Sequence, residues 1–364
     1  MTDRQQSALH PAGPDAEVIA QLAWVLTGGA AVIFVGVMVL CVMGLRGRRM
    51  VHVRWWLWGG GIALPVLVLS ALLAFSTLRS AQLSMPSSQH ALKIAVVARM
   101  WWWEVRYTAP AGGPDIVLAN EIRVPVGQPV YLGLSSADVI HSFWVPALAG
   151  KVDMVPGRLH GMTLQADRAG VYRAQCAEYC GQQHAQMALH VVAQSAPEFN
   201  AWLAQQAKAS MPPAAGSLAA AGRRVFERQR CGACHAVRSD GDGSWAGRGT
   251  LGGEGVRVGA GVRAEEGVRV EEGLRVEEGL RAGERAGSGG GTGAGAGAGE
   301  LGPDLTHVGS RVYIGAGARR NERGALEAWI VDPHAIKPGV RMPASMDLPR
   351  DELHALAAYL EQLK

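Results

Sequence analysis

The chain has 364 residues, enough for two or three domains, and its formal net charge of +4 is mild. No basic stripe interleaved with aromatic residues occurs, so the composition gives no support for nucleic-acid binding. Glycine is abundant at 48 residues, but the excess is local. Four of the five cysteines form two close pairs, Cys176 with Cys180 and Cys231 with Cys234, and these pairs direct attention to metal or cofactor chemistry.

Two long apolar runs near the N-terminus predict a membrane anchor. Val18–Leu45 and Trp55–Leu78 contain no charged residue, and each exceeds the roughly 20 residues that cross a bilayer. Pro65 lies within the second run, where a membrane helix can tolerate it. We therefore predict a transmembrane two-helix hairpin over residues 18–80.

The distribution of arginines predicts the orientation of this hairpin. The short connecting loop carries four arginines, whereas the segment before the first run has one. Positive residues favour the cytoplasmic side of a membrane. The loop is therefore expected in the cytoplasm, with residues 1–17 and everything after about residue 80 on the outer side.

The pattern then changes to short strands. Between Leu92 and Val192, runs rich in Val, Ile, Tyr and Trp alternate with Gly and Pro, which is typical of a β-sandwich or barrel. Three consecutive tryptophans, Trp101–Trp103, cannot all face a core, because alternate side chains of a strand point to opposite faces. The clearest predicted strands are Leu92–Tyr107, Glu121–Val126, Gln128–Leu134, Gly161–Gln165 and Gly170–Gln175.

A dense set of metal-binding side chains closes this segment. One loop supplies Cys176, Cys180, His184 and Met187, and His141 follows an earlier strand. One Cys, two His and a weakly bound Met are the ligands of a blue-copper site, and the second thiolate would let two copper ions share the loop. A disulfide or a Cys₂His₂ zinc site is the alternative, but the additional Met187 favours copper.

Together these motifs resemble subunit II of haem–copper cytochrome c oxidases across residues 1–200. The resemblance rests on the hairpin and on four motifs: Trp101-Trp-Trp-Glu-Val-Arg-Tyr107, Asp138-Val-Ile-His141-Ser-Phe-Trp-Val-Pro146, Lys151-Val-Asp-Met-Val-Pro-Gly-Arg158 and the Cys176–Met187 loop. It implies a cupredoxin-like β-sandwich over residues 90–195 with a binuclear copper centre, CuA. The implied copper ligands are His141, Cys176, Cys180, His184, Met187 and the backbone carbonyl of Glu178.

The same resemblance implies roles for two side chains. The side chain of Glu178 would reach a magnesium ion shared with subunit I, for which a carboxylate is a fitting hard ligand. A solvated loop residue is the alternative for Glu178. Trp101 would be the point at which electrons enter the copper centre, and packing against the membrane surface is its alternative.

A second external domain is predicted from residue 218 onward. Residues 196–217 are expected to form a short amphipathic helix and a linker. A helical pattern at Leu218–Arg230 then leads into Cys231-Gly-Ala-Cys234-His235, the Cys-x-x-Cys-His motif that attaches c-type haem. A thioredoxin-like site also carries Cys-x-x-Cys, but it gives no reason for the following His.

Later motifs support the haem. In Gly302-Pro-Asp-Leu-Thr306 a proline near the haem-binding His commonly orients that His through its carbonyl. Met342 precedes a proline on a loop, and Met with His is the usual axial pair of electron-carrying cytochromes c; Met346 is the competing methionine. This half resembles the cytochrome c domain fused to subunit II in caa-type oxidases. The resemblance implies an all-α domain over residues 218–364 whose covalent and axial haem ligands are Cys231, Cys234, His235 and Met342.

Residues 240–299 form a glycine-rich insertion in this predicted domain. They contain a six-residue repeat starting at Glu265, Glu271 and Glu277, followed by alternating Gly and Ala. Such a segment cannot bury enough apolar surface to offset its ordering entropy, so we predict a disordered loop. A short β-solenoid or a partner-binding tract is the alternative. A long loop adds little closure entropy, so the haem domain can carry it.

The two metal motifs predict an electron-transfer subunit. Electrons would pass from haem c to CuA and on to subunit I, which reduces oxygen to water, since the ligands of haem a and CuB are not on this chain. The expected partners are subunits I and III and cytochrome c or another donor. The expected location is the bacterial inner (plasma) membrane, with both metal domains on the periplasmic side. Electron input to another haem–copper reductase, such as nitric oxide reductase, and a copper-storage or assembly protein are the alternatives.

Overall fold

The computed structural model describes residues 6–47, 52–83, 92–108, 115–238, 301–322 and 324–364. These residues form three consecutive parts: two long apolar helices, a sandwich of two five-stranded sheets, and a mainly helical C-terminal part. The loop predicted at residues 240–299 lies outside the described residues.

The two apolar helices agree with the predicted membrane anchor. Helices α1 (Pro14–Arg46) and α2 (Val53–Ser80) are long and apolar enough to cross a membrane. A π-helical stretch, Trp56–Ala63, lies within α2 and ends two residues before Pro65. Proline has no N–H and its ring crowds the carbonyl one turn earlier, so a wider turn at this point accommodates it.

The residues before α1 pack against the sandwich. The N–H of Ala12 donates to the carbonyl of Ala147 at 2.7 Å, and the N–H of Asp167 donates to the carbonyl of Ala12 at 2.8 Å. Ala16 and Ala20, in the first turns of α1, are buried. The N-terminal segment and the sandwich therefore lie at the same end of α1, as the arginine distribution predicts.

Ten strands form the sandwich. In chain order they are β1 (Leu92–Arg99), β2 (Trp102–Tyr107), β3 (Ile116–Ala119), β4 (Glu121–Pro125), β5 (Val130–Ser136), β6 (His141–Trp144), β7 (Lys151–Met154), β8 (His160–Leu164), β9 (Gly170–Cys176) and β10 (Ala188–Gln194). The first sheet has the order β3-β2-β1-β5-β8 and the second β4-β10-β9-β6-β7. Burial alternates along β1 and β9, as expected for strands with one face on a core.

The strands differ from the sequence prediction in two respects. Leu92–Tyr107 is an antiparallel hairpin of β1 and β2 rather than one strand. The pattern also missed β3, β6, β7 and β10. The first three have four residues each, too few for an alternation to stand out. Most of β10 is buried on both faces, which removes the alternation. Of the three tryptophans, Trp103 is fully buried and the other two are half-buried.

The C-terminal part is mainly helical. Its elements are α3 (Ala196–Gln206), α4 (Leu218–Arg228), β11 (Tyr313–Ile314), β12 (Arg319–Arg320), α5 (Ala325–Val331), α6 (Pro333–Ile336) and α7 (Arg350–Gln362). The β11–β12 ribbon is a departure from the predicted all-α domain. Helices α4 and α7 cross closely because Gly222 has no side chain: a Cβ there would lie 1.8 Å from the carbonyl oxygen of Ala355.

The C-terminal part lies directly on the second sheet of the sandwich. The N–H of Val312 donates to Oε2 of Glu121 on β4 at 2.8 Å. On β10, the ring of His190 stacks on the ring of Tyr313, with centroids 3.7 Å apart and planes 7° from parallel. The two domains therefore share a packed interface and are not joined by the linker alone.

We expect His190 to make this interface sensitive to acid. Burial, with smaller effects from Arg173 and Arg320, lowers the pKa of His190 to about 4. The unfolded chain binds the same proton near pH 6.5, so it holds more protons than the folded chain between pH 6.5 and 4. The free energy of unfolding should therefore fall as the pH is lowered through this window, and the stabilisation is fully present above it.

Thermal unfolding of wild type and of His190→Phe, which keeps an aromatic ring, measures this effect. The midpoint of the wild type should fall more steeply between pH 6.5 and 4 than that of the variant. His334→Phe, at an exposed position, is the control and should keep the wild-type slope. Equal slopes for wild type and His190→Phe would contradict the prediction.

Candidate metal centre and adjoining cavity

Strand pairing brings the predicted copper ligands to one end of the second sheet. His141 is the first residue of β6 and Cys176 the last of β9, and these strands pair with Phe143 opposite Cys176. The donor loop (Cys176–Met187) then leads into β10. The N–H of Cys176 donates to the carbonyl of Met187 at 3.0 Å, which closes the loop on itself.

Five side chains of the predicted ligand set converge. The two thiol sulfurs lie 3.8 Å apart. Sγ of Cys176 is 3.7 Å from Nδ1 of His141, and Sγ of Cys180 is 3.6 Å from Nδ1 of His184 and 3.8 Å from Sδ of Met187. Both cysteines, His141 and Met187 are buried. These five residues are called the donor cluster below.

The spacing within the donor cluster fits a metal site. Sulfurs 3.8 Å apart do not form a disulfide, whose S–S bond is about 2.05 Å. Donors about 2.0–2.3 Å from a tetrahedral ion stand roughly 3.3–3.8 Å from one another, which matches the observed spacing. Two thiolates, two imidazoles and a thioether suit copper, and they exceed the four ligands of a structural zinc site.

Glu178 turns two groups in different directions. Its carbonyl oxygen lies 3.2 Å from Sγ of Cys176, at the edge of the donor cluster. Its side chain is exposed. The carbonyl is therefore available to the cluster while the carboxylate is free to bind outside it.

The two thiols have opposite pKa shifts. The contact between them lowers the pKa of Cys176 and raises that of Cys180, because a proton shared by two sulfurs favours one thiolate beside one thiol. The thiolate is the form that binds metals. As the pH rises, Cys176 therefore loses its proton before Cys180 and becomes able to bind a metal first.

The Cys-x-x-Cys-His motif forms a tight turn after α4. The N–H of His235 donates to the carbonyl of Cys231 at 3.0 Å. Nδ1 of His235 lies 2.8 Å from the carbonyl oxygen of Pro303, as the Gly-Pro motif predicts. A carbonyl only accepts, so Nδ1 carries the proton and Nε2 is left with a lone pair for a metal. Gly302 allows this contact, since a Cβ there would lie 2.6 Å from the His235 ring.

A cavity of about 390 Å³ opens beside this turn. Its size falls in the range of roughly 300–1,000 Å³ typical of cofactor and ligand pockets. Met342 lines it, whereas the competing Met346 is 70% exposed and lies outside its wall. The predicted haem-binding residues all line this one cavity: Cys231, Cys234, His235 and Met342. The residues present therefore fit a covalent haem with a His/Met pair.

One side chain touches both the cavity and the donor loop. Trp101 lines the cavity, and its Nε1–H donates to the carbonyl of Cys180 at 2.9 Å. The edge of its ring packs against Gly181 of the donor loop. The residue that sequence resemblance selects for electron transfer thus lies between the two predicted cofactor sites.

The sandwich also matches a known family. Residues 114–195 fit the sequence profile described as Cytochrome C oxidase subunit II, periplasmic domain. After this match, the sandwich is called the subunit II domain below. Cytochrome c oxidase subunit 2 of Alkalihalophilus pseudofirmus is 32% identical over 271 residues, which cover 74% of this chain and 61% of the relative. Cytochrome c oxidase subunit 2 of Bacillus subtilis is 28% identical over 337 residues, which cover 88% of this chain and 76% of that relative. This chain thus spans less than two thirds of the first relative's length.

Solved structures are similar to the subunit II domain over about one third of this chain. The periplasmic domain of subunit II of cytochrome oxidase of Bradyrhizobium japonicum is 29% identical, covers 34% of this chain and 96% of its own, and has a TM-score of 0.31. A chain of a heme-copper terminal oxidase dimer is 21% identical, covers 37% of this chain and 97% of its own, and has a TM-score of 0.29.

In the subunit II domain, the sequence analysis missed a residue that orients a donor. Oδ1 of Asp138 lies 2.7 Å from Nε2 of His141, which turns Nδ1 of that ring toward the donor cluster. Asp138 also accepts hydrogen bonds from the N–H groups of Met100 and Val139, at 2.7 and 2.8 Å. The carboxylate three residues before the His was the available signal.

Removing this support should weaken copper binding. In Asp138→Ala we expect copper affinity to fall about 10- to 100-fold, the usual effect of losing a carboxylate that orients a metal-binding His. Titration of the full chain with a competing chelator measures the affinity. Asp153→Ala, on exposed Asp153, is the matched control. Equal affinities in the two variants would show that Asp138 has no such role.

Proposed function

We propose that this chain is the electron-input subunit of a haem–copper oxidase, passing electrons from haem c to CuA and on to subunit I. The relatives that it matches are named cytochrome c oxidase subunit 2. The observation that carries the proposal is the position of Trp101, which contacts the wall of the haem-sized cavity and the carbonyl of Cys180. A protein that only stored copper would not need an aromatic side chain between its copper site and a second cofactor cavity.

At the copper end, the donor cluster and the Glu178 carbonyl would hold two copper ions. When bound, these ions supply one-electron chemistry. The two thiolates and the two imidazoles would be the main ligands of these ions. Burial of both cysteines, His141 and Met187 keeps water away from these donors, and Asp138 holds the His141 ring in place. These ligand side chains then need little rearrangement during electron transfer. The exposed carboxylate of Glu178 would face the shared magnesium ion.

At the haem end, Cys231 and Cys234 would attach haem c, and His235 and Met342 would ligate its iron. When bound, the haem supplies one-electron chemistry of its own. Burial lowers the pKa of His235, which keeps its ring neutral and able to bind iron. Among the described lining residues the cavity has four cations and no carboxylate, which suits a cofactor with acidic groups: Arg230, Arg311, Lys337 and Arg341.

The helices and the domain interface would place the two sites within the oxidase complex. Helices α1 and α2 would anchor the chain in the bacterial inner membrane beside subunits I and III, with both metal domains on the periplasmic side. Cytochrome c or another donor would reduce the haem. The packed interface between the domains keeps the two sites at a high effective concentration, so a diffusing carrier is not needed for this step.

Spectroscopy of the full chain in detergent tests the proposal. We expect a mixed-valence copper signal in electron paramagnetic resonance and a low-spin His/Met haem in the optical spectrum. The purified complex should consume oxygen with a reduced donor. A colourless zinc protein would refute the proposal, and consumption of nitric oxide in place of oxygen would assign the chain to a different terminal enzyme.

A further inference from the structure

The loop that carries Met342 also reaches the subunit II domain, through a buried lysine. Lys337 is 2% exposed. Its Nζ donates to the carbonyl oxygen of Trp101 at 2.9 Å and lies 3.5 Å from that of Gly315. Within the described residues its ammonium group forms no ion pair with a carboxylate. The charge is therefore buried between two domains and held by carbonyl dipoles.

This arrangement is unfavourable for packing alone. A buried charge costs free energy unless it has good partners. Apolar side chains of similar volume often replace even buried ion pairs with no loss of stability. A methionine would fill the space of Lys337 without that cost, so the position of the charge points to a role beyond filling space.

Trp101 is held by both metal-binding loops. The donor loop fixes its indole through the carbonyl of Cys180. The Met342 loop (residues 336–343) fixes its main chain through Lys337, and the guanidinium of Arg341 lies 6.0 Å from the centroid of its ring. The same loop packs on the donor loop, where a Cβ at Gly339 would lie 2.5 Å from the Gln182 side chain. The two loops therefore meet around one residue.

We propose that Lys337 is a positioning residue for electron transfer between the two centres, an inference that rests on the function proposed above. Its hydrogen bond holds the Met342 loop against the turn that presents Trp101. The cavity and the donor cluster then keep a fixed, short separation, and electron transfer slows steeply as such a separation grows. Losing the bond lets the C-terminal domain move away from Trp101 without removing a ligand from either centre.

The full chain, loaded with haem and copper, is compared with Lys337→Met, which keeps the length of the side chain and removes its charge. A photoactivated ruthenium complex reduces the haem, and the copper absorbance reports the arrival of the electron. Loss of one hydrogen bond from a charged donor should shift the docking equilibrium of the Met342 loop at least about tenfold. We therefore expect transfer to slow by at least that factor. The spectra and potentials of both centres should stay as in the wild type. Lys337→Arg, which keeps a charged donor, should recover part of the rate.

Lys208→Met is the matched control, because Lys208 is exposed and lies outside the cavity wall. Wild-type transfer in Lys337→Met with both centres intact would overturn the inference, and so would equal slowing in Lys208→Met. Should Lys337→Met lose haem or copper, Lys337→Leu decides: it also lacks a donor, so a wild-type rate there overturns the inference. A wild type without either spectrum would instead refute the proposed function.

Discussion

In Cys180→Ser the copper signal should disappear while the haem bands stay unchanged. Sγ of Cys180 lies within 3.8 Å of three other members of the donor cluster: Cys176, His184 and Met187. A hydroxyl oxygen is a poor ligand for copper in a site built from thiolates. We expect copper affinity to fall by more than the roughly 10- to 100-fold effect of losing an orienting carboxylate. Electrons should then stop at the haem, and oxygen consumption by the complex should fall to background.

The chain offers a matched control for this substitution. Cys41 is a free cysteine on the outer surface of α1, away from both sites, so Cys41→Ser should keep the copper signal. Copper content, electron paramagnetic resonance and the haem spectrum are measured on all three proteins. Retention of the mixed-valence signal in Cys180→Ser would remove this cysteine from the proposed copper site.

In Met342→Ala the haem potential should fall and the copper spectrum should not change. A thioether ligand favours reduced iron and raises the potential of a His-ligated haem. Axial ligands set haem potentials over about 0.8 V, so we expect a fall on the order of a few hundred millivolts. Redox titration of the haem absorbance measures it. External donors should reduce the variant haem less completely.

Met346→Ala provides the comparison, because Met346 is 70% exposed and outside the cavity wall. A fall in potential in Met346→Ala and none in Met342→Ala would reverse the assignment of the iron ligand. Loss of the copper signal in Met342→Ala would show that the two sites are not independent, and would identify the Met342 loop as the connection.

The local motifs were predictable because their chemistry is confined to a few consecutive residues. The donor loop places its cysteines, His184 and Met187 in one segment between strands, and the Cys-x-x-Cys-His motif places three predicted haem-binding residues in one tight turn. His141 also lies where resemblance places it, since strands β6 and β9 pair. Within each loop the sequence neighbours are also spatial neighbours, whereas His141 lies 35 residues before Cys176 and was selected by resemblance.

Features that depend on domain packing could not be predicted. Lys337 and Trp101 are 236 residues apart in the chain, and no periodicity relates them. The C-terminal part covers β10 through Ala316 and Tyr313, which contact Ala188 and His190, so burial does not alternate along this strand. The role of Asp138 depends on the His141 ring turning toward it, which a sequence motif does not specify.

The packing of residues before α1 on the sandwich has a mechanical consequence. A rigid body attached at one point can pivot freely about it, whereas a body attached at two points can rotate only about the line that joins them. The sandwich is held at two points beside α1, by backbone hydrogen bonds at Ala12 and by the N–H of Ala16, which donates to the carbonyl of Leu148. Its tilt and height above the bilayer are thereby restricted, so the donor cluster keeps a constant elevation over the membrane plane as the lipids and helices fluctuate.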